Sequence, residues 1–240
     1  MKNYPLISVW MTTYFDVEYI EEALDSIKMQ ETSYPFEIVI GDDASSDGTY
    51  EKIMDYSASH PEMNIKCETN PKNIGLSANV LKTKMRCKGK YIINLSGDDY
   101  WICKDKIQMQ ADFLEEHPDY IAVGTEVEIR YGNSKFADAC YPPKSYLGRD
   151  YTLQIYEKGI PLPSHGLMVR NIFTDPNKND RIKQIYSVSN AVDDMFDPLL
   201  FLEFGKIHII NSATSVYRQM ISKVAKHNCN SMYSCLLYTS

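Results

Sequence analysis

A chain of 240 residues with 44% apolar and 24% charged side chains can bury a core of its own, as one α/β domain with at most a small appendage. Its net charge of −7 excludes a nucleic-acid binder that works through a basic face. Six scattered cysteines, none in a CxxC pair, exclude a zinc-thiolate site and read as reduced side chains of a cytosolic protein.

Met1-Lys2-Asn3-Tyr4-Pro5 passes directly into an apolar run, without the stretch of a signal peptide. No run reaches bilayer-crossing length, so a soluble protein is expected, able to associate peripherally with a membrane face. Leu6 to Thr12 reads as a first strand, and Val17, Ile20, Leu24 and Ile27 recur at helical spacing. Phe36 to Ile40 is a second, almost wholly apolar strand suited to the middle of a sheet. Asp47-Gly48-Thr49 turns the chain into a helix that stops before His60-Pro61. Ile65 to Glu68 is a third strand, Leu76 to Cys87 a helix ending near Gly89, and Tyr91 to Leu95 a fourth strand. Ile107, Ala111 and Leu114 stripe a helix that stops at Pro118, and Ile121 to Ile129 follows as a strand. Strands alternating with amphipathic helices predict a mainly parallel, Rossmann-like sheet with helices on both faces.

Beyond Arg130 the periodicity weakens. Residues 131 to 150 read as a long connection or lid, Gly166 to Arg170 as a strand, and 174 to 190 as a polar surface insertion. Met195 to Phe204 reads as a helix that holds Pro198 in its first turn, and Ile207 to Tyr217 as one or two short strands. Residues 223 to 240 carry no pattern and read as a disordered or truncated tail. The expected organisation is one domain over 1–222, with a regular half at 1–118 and a smaller, less regular one at 119–222.

In an open parallel sheet ligands bind where the strands end. Thr12, Thr13 and Tyr14 follow the first strand, Asp42 and Asp43 the second, and Ser96, Gly97, Asp98 and Asp99 the fourth. Asp47 alone is explained as a helix cap. Two Asp-Asp pairs at one sheet edge repel each other unless a cation or hydrogen-bond donors compensate. Carboxylates are hard ligands suited to Mg²⁺ or Mn²⁺, and such an ion can in turn hold a diphosphate.

Ser8-Val9-Trp10-Met11-Thr12-Thr13-Tyr14, the run Asp42 to Thr49, Asn73-Ile74-Gly75, Lys88-Gly89-Lys90-Tyr91-Ile92 and Gly97-Asp98-Asp99-Tyr100-Trp101 together resemble glycosyltransferase family 2, of the GT-A fold. The resemblance covers nearly all of residues 5 to 118. It implies that Thr12 and Asp43 hold the uracil ring of a UDP-sugar, with Tyr14 in the same nucleotide-binding stretch. It further implies that Asp98 contacts the ribose and Asp99 ligates the metal. Thr12 stands where many members carry Pro, and Phe15 where many carry Asn.

In the second half, Asp193-Asp194 and the helix to Gly205 resemble the family's acidic pair, with Asp194 at the general-base position; otherwise these acids complement a helix N-terminus. Tyr217-Arg218 resembles a terminal Tyr-Arg whose cation approaches the diphosphate, against the alternative of a solvated Arg. His165 is a weaker candidate for acceptor contact, and Trp101 suits either a sugar face or the core. The resemblance implies an inverting, metal-dependent transfer from a nucleotide-sugar donor to a glycan or lipid-linked glycan of the cell surface, at the cytoplasmic face of the plasma membrane. The alternatives are a nucleotidyltransferase of similar fold, although the Gly-rich basic loop of those enzymes is missing after the first strand, and a non-catalytic nucleotide- or carbohydrate-binding module.

Overall fold

The computed structural model of the protein describes residues 6–131, 135–162, 164–187 and 193–219, with backbone alone at 135, 138 and 193–195. The first half alternates as expected: β1 (Ile7–Thr13), α1 (Ile20–Lys28), β2 (Phe36–Asp42), α2 (Thr49–Ser59), β3 (Ile65–Thr69), α3 (Leu76–Lys84) and β4 (Tyr91–Asn94). A two-residue strand β5 (Tyr100–Trp101) and helix α4 (Lys106–Glu116) lead into the long strand β6 (Tyr120–Tyr131). After these come β7 (Lys135–Tyr141), β8 (Arg149–Tyr151), α5 (Leu153–Glu157), β9 (Met168–Arg170), α6 (Asn179–Ser187), α7 (Asp193–Leu202) and β10 (Lys206–Gln219).

One sheet runs through all of this in the order β3-β2-β1-β4-β9-β6-β10-β5, with β7 on β6 and β8 on β10. The pairs β3-β2, β2-β1 and β1-β4 are parallel, as is β6-β10, whereas β9, β5, β7 and β8 pair antiparallel. Alternation along β1 divides the core. Ile7, Val9 and Met11 pack with Ile38, Ile40 and the apolar stripes of α1 and α4. Trp10 turns to the opposite face, with Val39, Val80, Ile92, Ile182, Leu200 and Phe201. Helices therefore cover both faces, as the pattern of strands and helices predicts. Ile20, Ala23, Leu24 and Ile27 of α1 are fully buried, each large side chain contributing about 1.5–3 kcal/mol. Glu21 and Glu22 in its first turn and Lys28 in its last complement the helix dipole.

The second half is more ordered than its sequence suggests. The expected lid at 131–150 contains β7 and β8, both laid antiparallel on the sheet. The expected surface insertion contains α6, whose Ile182 and Ile185 are buried. Its period was masked by the Lys, Asn and Asp residues that face outward. The expected short strands at 207–217 are one strand of 14 residues, β10, whose register against β6 shifts at three places. The two shifts between Ile210 and Ser215 disguise its continuity in sequence. The expected tail at 223–240 lies outside the described residues.

Candidate active site

The cleft lies at the carboxyl ends of β1, β2 and β4, and the last residues of β1 tie its walls together. The Asp43 N–H donates to the Thr13 carbonyl at 3.0 Å, and the Gly97 N–H to the Thr12 carbonyl at 3.1 Å. The loop after β1 is then fastened to the loop after β2. Phe15 N–H donates to Ser45 Oγ, Asp16 N–H to Thr49 Oγ1, and Val17 N–H to Asp47 Oδ2, at 3.0–3.2 Å. Phe15 has a φ of 61°, in the left-handed region that Asn tolerates and a bulky side chain resists. The three tethers hold it there. Thr12 is buried and Tyr14 half-buried, with the Tyr14 ring edge-on to Phe15 at 4.3 Å. Asp47 also accepts from the Thr49 N–H at 3.1 Å, so it serves both the turn and the tether.

The two Asp-Asp pairs divide their labour. Asp42 is wholly buried and accepts from the Ser45 N–H and Oγ and from Thr69 Oγ1, which makes it a loop anchor. Asp43 faces the start of α3. Its Oδ1 accepts from Asn70 Nδ2 and the Ile74 N–H, and its Oδ2 from the Gly75 N–H, all at 2.9 Å. Asn73-Ile74-Gly75 thus wraps a carboxylate that retains a further lone pair, since two carboxylate oxygens offer about four acceptor sites.

Asp99 is fully buried; its Oδ1 accepts from the Arg218 backbone N–H at 2.7 Å, and its Oδ2 lies 3.3 Å from His165 Nδ1. Asp98 beside it is half-buried. Burial pushes the Asp98 carboxyl above the ordinary carboxylate range, against the pull of His165 and Arg218. Asp16 is pushed well above that range, first by burial and then by the negative charge of Asp98. Three carboxylates from two loops therefore crowd one region.

Arg218 is 1% exposed, so it is not a solvated side chain. Its guanidinium donates to the Asp98 carbonyl and, at 2.7 Å, to Glu22 Oε2, and stands 4.6 Å from the ring centroid of Tyr19 and 5.1 Å from that of Tyr100. It braces the Gly97–Asp99 turn from behind. His165 proves closer to the chemistry than a lone His suggests. It stacks on Tyr217, with centroids 5.3 Å apart, and its Nδ1 lies 3.5 Å from Ser96 Oγ. Trp101 is 1% exposed and belongs to the core rather than to a sugar face.

Asp194 sits in the first turn of α7, which begins two residues before the expected start at Met195, and its side chain lies outside the described residues. α7 feeds β10, whose first residue pairs with Tyr120 at the start of β6. The helix therefore descends from the ligand-binding edge, and its first turn stands on that side. Asp16 and Glu22 carry no signal in the sequence, because Asp98 and Arg218, which give them their place, lie far along the chain.

Among the described residues no three His, Cys, Asp or Glu side chains form a metal cage. A hard divalent cation can take one or two carboxylates and complete its shell with substrate phosphate and water. The Asp16 and Asp98 carboxyls fit that need, because a cation would offset the burial that raises both and the charge of Asp98 that raises Asp16 further. The thiols fit no such role: burial pushes Cys67 and Cys87 up to about 12, and the four described cysteines are free.

Comparison with known proteins agrees with this geometry. TarS of Staphylococcus aureus, solved with UDP-GlcNAc, superposes with a TM-score of 0.68 at 21% identity, over 89% of this chain and 58% of that one. The mannosyltransferase PcManGT of Pyrobaculum calidifontis, solved with GDP-Man and Mn²⁺, superposes with a TM-score of 0.65 at 16% identity, over 92% and 58%. The fold is the GT-A fold of glycosyltransferases. Abequosyltransferase RfbV of Salmonella typhimurium is 31% identical over 162 residues, which cover 65% of this chain and 45% of that protein. The chain spans less than half the length of the curated relatives it matches. Residues 8–173 match the family described as Glycosyl transferase family 2, and the chain belongs to that family.

Proposed function

We propose that the protein transfers a sugar from a nucleoside diphosphate, UDP in the first instance, to a hydroxyl of a glycan or lipid-linked glycan, with inversion and with help from Mn²⁺ or Mg²⁺. The observation that carries this reading is the meeting of the Asp43 loop and the Gly97–Asp99 turn at one strand-end edge, joined through Thr12 and Thr13. Thr12, Tyr14 and Asp43 hold the base, with the open lone pair of Asp43 accepting a ring N–H. Asp98 takes the metal-facing role in place of Asp99, because Asp99 is sealed in the core against Arg218 and His165. Asp16 shares that role in place of a ribose contact by Asp98. When bound, a divalent ion would offset the charge that grows on the departing diphosphate.

Asp194 serves as the general base. It takes the proton from the acceptor hydroxyl as that oxygen attacks the anomeric carbon and the bond from that carbon to the diphosphate breaks. Relatives bearing glycosyltransferase names support a role in surface-polysaccharide assembly. No helix among the described residues is long and apolar enough to cross a membrane, so contact with a lipid-linked acceptor at the inner face would be peripheral for this part of the chain.

A screen of nucleotide-sugar donors with Mn²⁺ or Mg²⁺ tests the reading through release of nucleoside diphosphate. Pyrophosphate release from a triphosphate would make it a nucleotidyltransferase, and donor binding without any turnover would make it a binding module. Asp194→Asn should lower kcat by about 10²- to 10⁴-fold and leave the donor Kd unchanged. Full turnover by that variant would remove the base assignment.

A further inference from the structure

On the Trp10 face of the sheet, a charged group is enclosed where apolar packing would serve. Lys84 ends α3 and is 1% exposed. Its ammonium pairs with Asp197 of α7, which is 3% exposed, and donates to the Tyr186 hydroxyl of α6 at 2.8 Å. The Tyr186 hydroxyl in turn donates to the other Asp197 oxygen at 2.7 Å, so the three groups close a ring. Lys84 Nζ also stands 4.6 Å from the centroid of Trp10 and 5.3 Å from that of Phe173.

Ion pairs are a poor means of stabilising such a place. Exchanging a buried pair for well-packed apolar side chains is often neutral or favourable. What an ion pair supplies is direction: charge-assisted hydrogen bonds fix how far α7 slides and how it is turned against α3, whereas apolar contacts tolerate small slips. Both faces of the ring matter. Trp10 lies in β1 two residues before Thr12, on the donor side. Asp197 lies three residues after Asp194, so the two positions share one helix face about 4.5 Å apart along the axis.

We propose that Lys84, Asp197 and Tyr186 form a positioning clamp that sets the depth and rotation of α7, and thereby the place of Asp194 relative to the bound donor. The clamp rests on the assignment of Asp194 as the base. It does not touch substrate; its three members are positioning residues. A shift of about 1 Å at a reacting group costs on the order of 10²-fold in rate, so a small slip of the helix is enough to matter.

The test is the paired substitution Lys84→Met with Asp197→Leu, which removes both charges together and leaves no buried ion unpaired. The variant should keep the wild-type Tm within a few degrees and bind the donor within about twofold, while kcat for transfer falls about 10- to 100-fold. Placed in an Asp194→Asn background, the same pair should change the residual rate by less than about twofold, because the clamp acts through that side chain. Tyr186→Phe, which deletes one half-buried hydroxyl, serves should the pair not fold; a kcat loss of about 3- to 10-fold at constant Tm and donor Kd is then expected. Unchanged kcat in the folded pair, or an equal loss with and without Asp194, overturns the clamp. Wild-type activity of Asp194→Asn alone overturns the base assignment instead, and with it the clamp's role in transfer.

Discussion

Asp99 and Arg218 stand 119 residues apart in sequence and meet through one hydrogen bond, from the Arg218 backbone N–H to Asp99 Oδ1 at 2.7 Å. The Arg218 side chain then reaches past it to the Asp98 carbonyl, so a single residue of β10 holds both acids of the turn, one by main chain and one by guanidinium. This relation makes Asp99 an internal brace and leaves Asp98 nearest the cleft. Arg218→Leu keeps the backbone bond and removes the second hold. Glu22, its ion-pair partner, is half exposed and can return to water, which limits the cost. A loss of about 1–3 kcal/mol in stability is expected, with a larger relative loss of turnover and a weaker response to Mn²⁺. Denaturant midpoints and metal titrations of kcat check this.

Asp43 accepts three protein hydrogen bonds before any ligand arrives. Asp43→Asn replaces one accepting oxygen with a donor that faces donors. The Ile74–Gly75 segment then loosens and the charged acceptor for a base N–H is gone. Donor Kd should rise at least about tenfold, equivalent to one charge-assisted hydrogen bond, with a smaller change in kcat at saturation. Calorimetric titration of UDP against wild type and variant gives the comparison.

Gly89 has no room for a methyl group. A Cβ there would lie 2.5 Å from the Ser8 backbone N, 2.7 Å from the Tyr91 carbonyl O and 2.8 Å from the Ile7 carbonyl C. Backbone on all sides cannot rotate away. Gly89→Ala should destabilise by about 1–3 kcal/mol or more, through displacement of β1 against β4. Urea midpoints measure the loss, and a variant as stable as wild type would disprove the close approach.

Lys106 is wholly buried and donates to two hydroxyls, Thr214 Oγ1 at 2.8 Å and Thr125 Oγ1 at 3.3 Å; burial lowers its pKa to about 7. Unfolded, the same lysine titrates near its ordinary 10.5. Between those values the unfolded chain binds the extra proton, so stability rises with pH across that window. Below about 7 the folded protein carries the full cost of a buried ammonium. Relative to Lys106→Met, wild type should therefore gain stability from pH 7 to pH 10. Parallel denaturation of the two proteins at both pH values cancels every other titrating group, and a constant difference would refute the shift.

The first half of the fold was legible because its pattern is local. Apolar strands in a fixed rhythm, three of them followed by Thr-Thr or Asp-Asp, mark the strand-end edge before any coordinate is known. What could not be read were roles settled by contacts across the sequence. Asp98 and Asp99 look alike in a row, and only the arrival of β10 distinguishes the braced acid from the open one. His165 offered no pattern of its own, and its meaning comes from Asp99 and Tyr217. The helix α6 escaped because polar residues dominate it while two isoleucines hold it to the core.

β10 reaches the donor cleft last. Its Ser215 pairs beside Trp101, its Thr214 holds Lys106, and its Arg218 props the acidic turn. A fragment ending at residue 118 would contain every side chain proposed to face the base and the metal, yet the turn that carries Asp98 would have nothing behind it. During synthesis, then, the supported form of that turn has to wait until about a hundred further residues have left the ribosome, and the two halves are not free-standing cassettes.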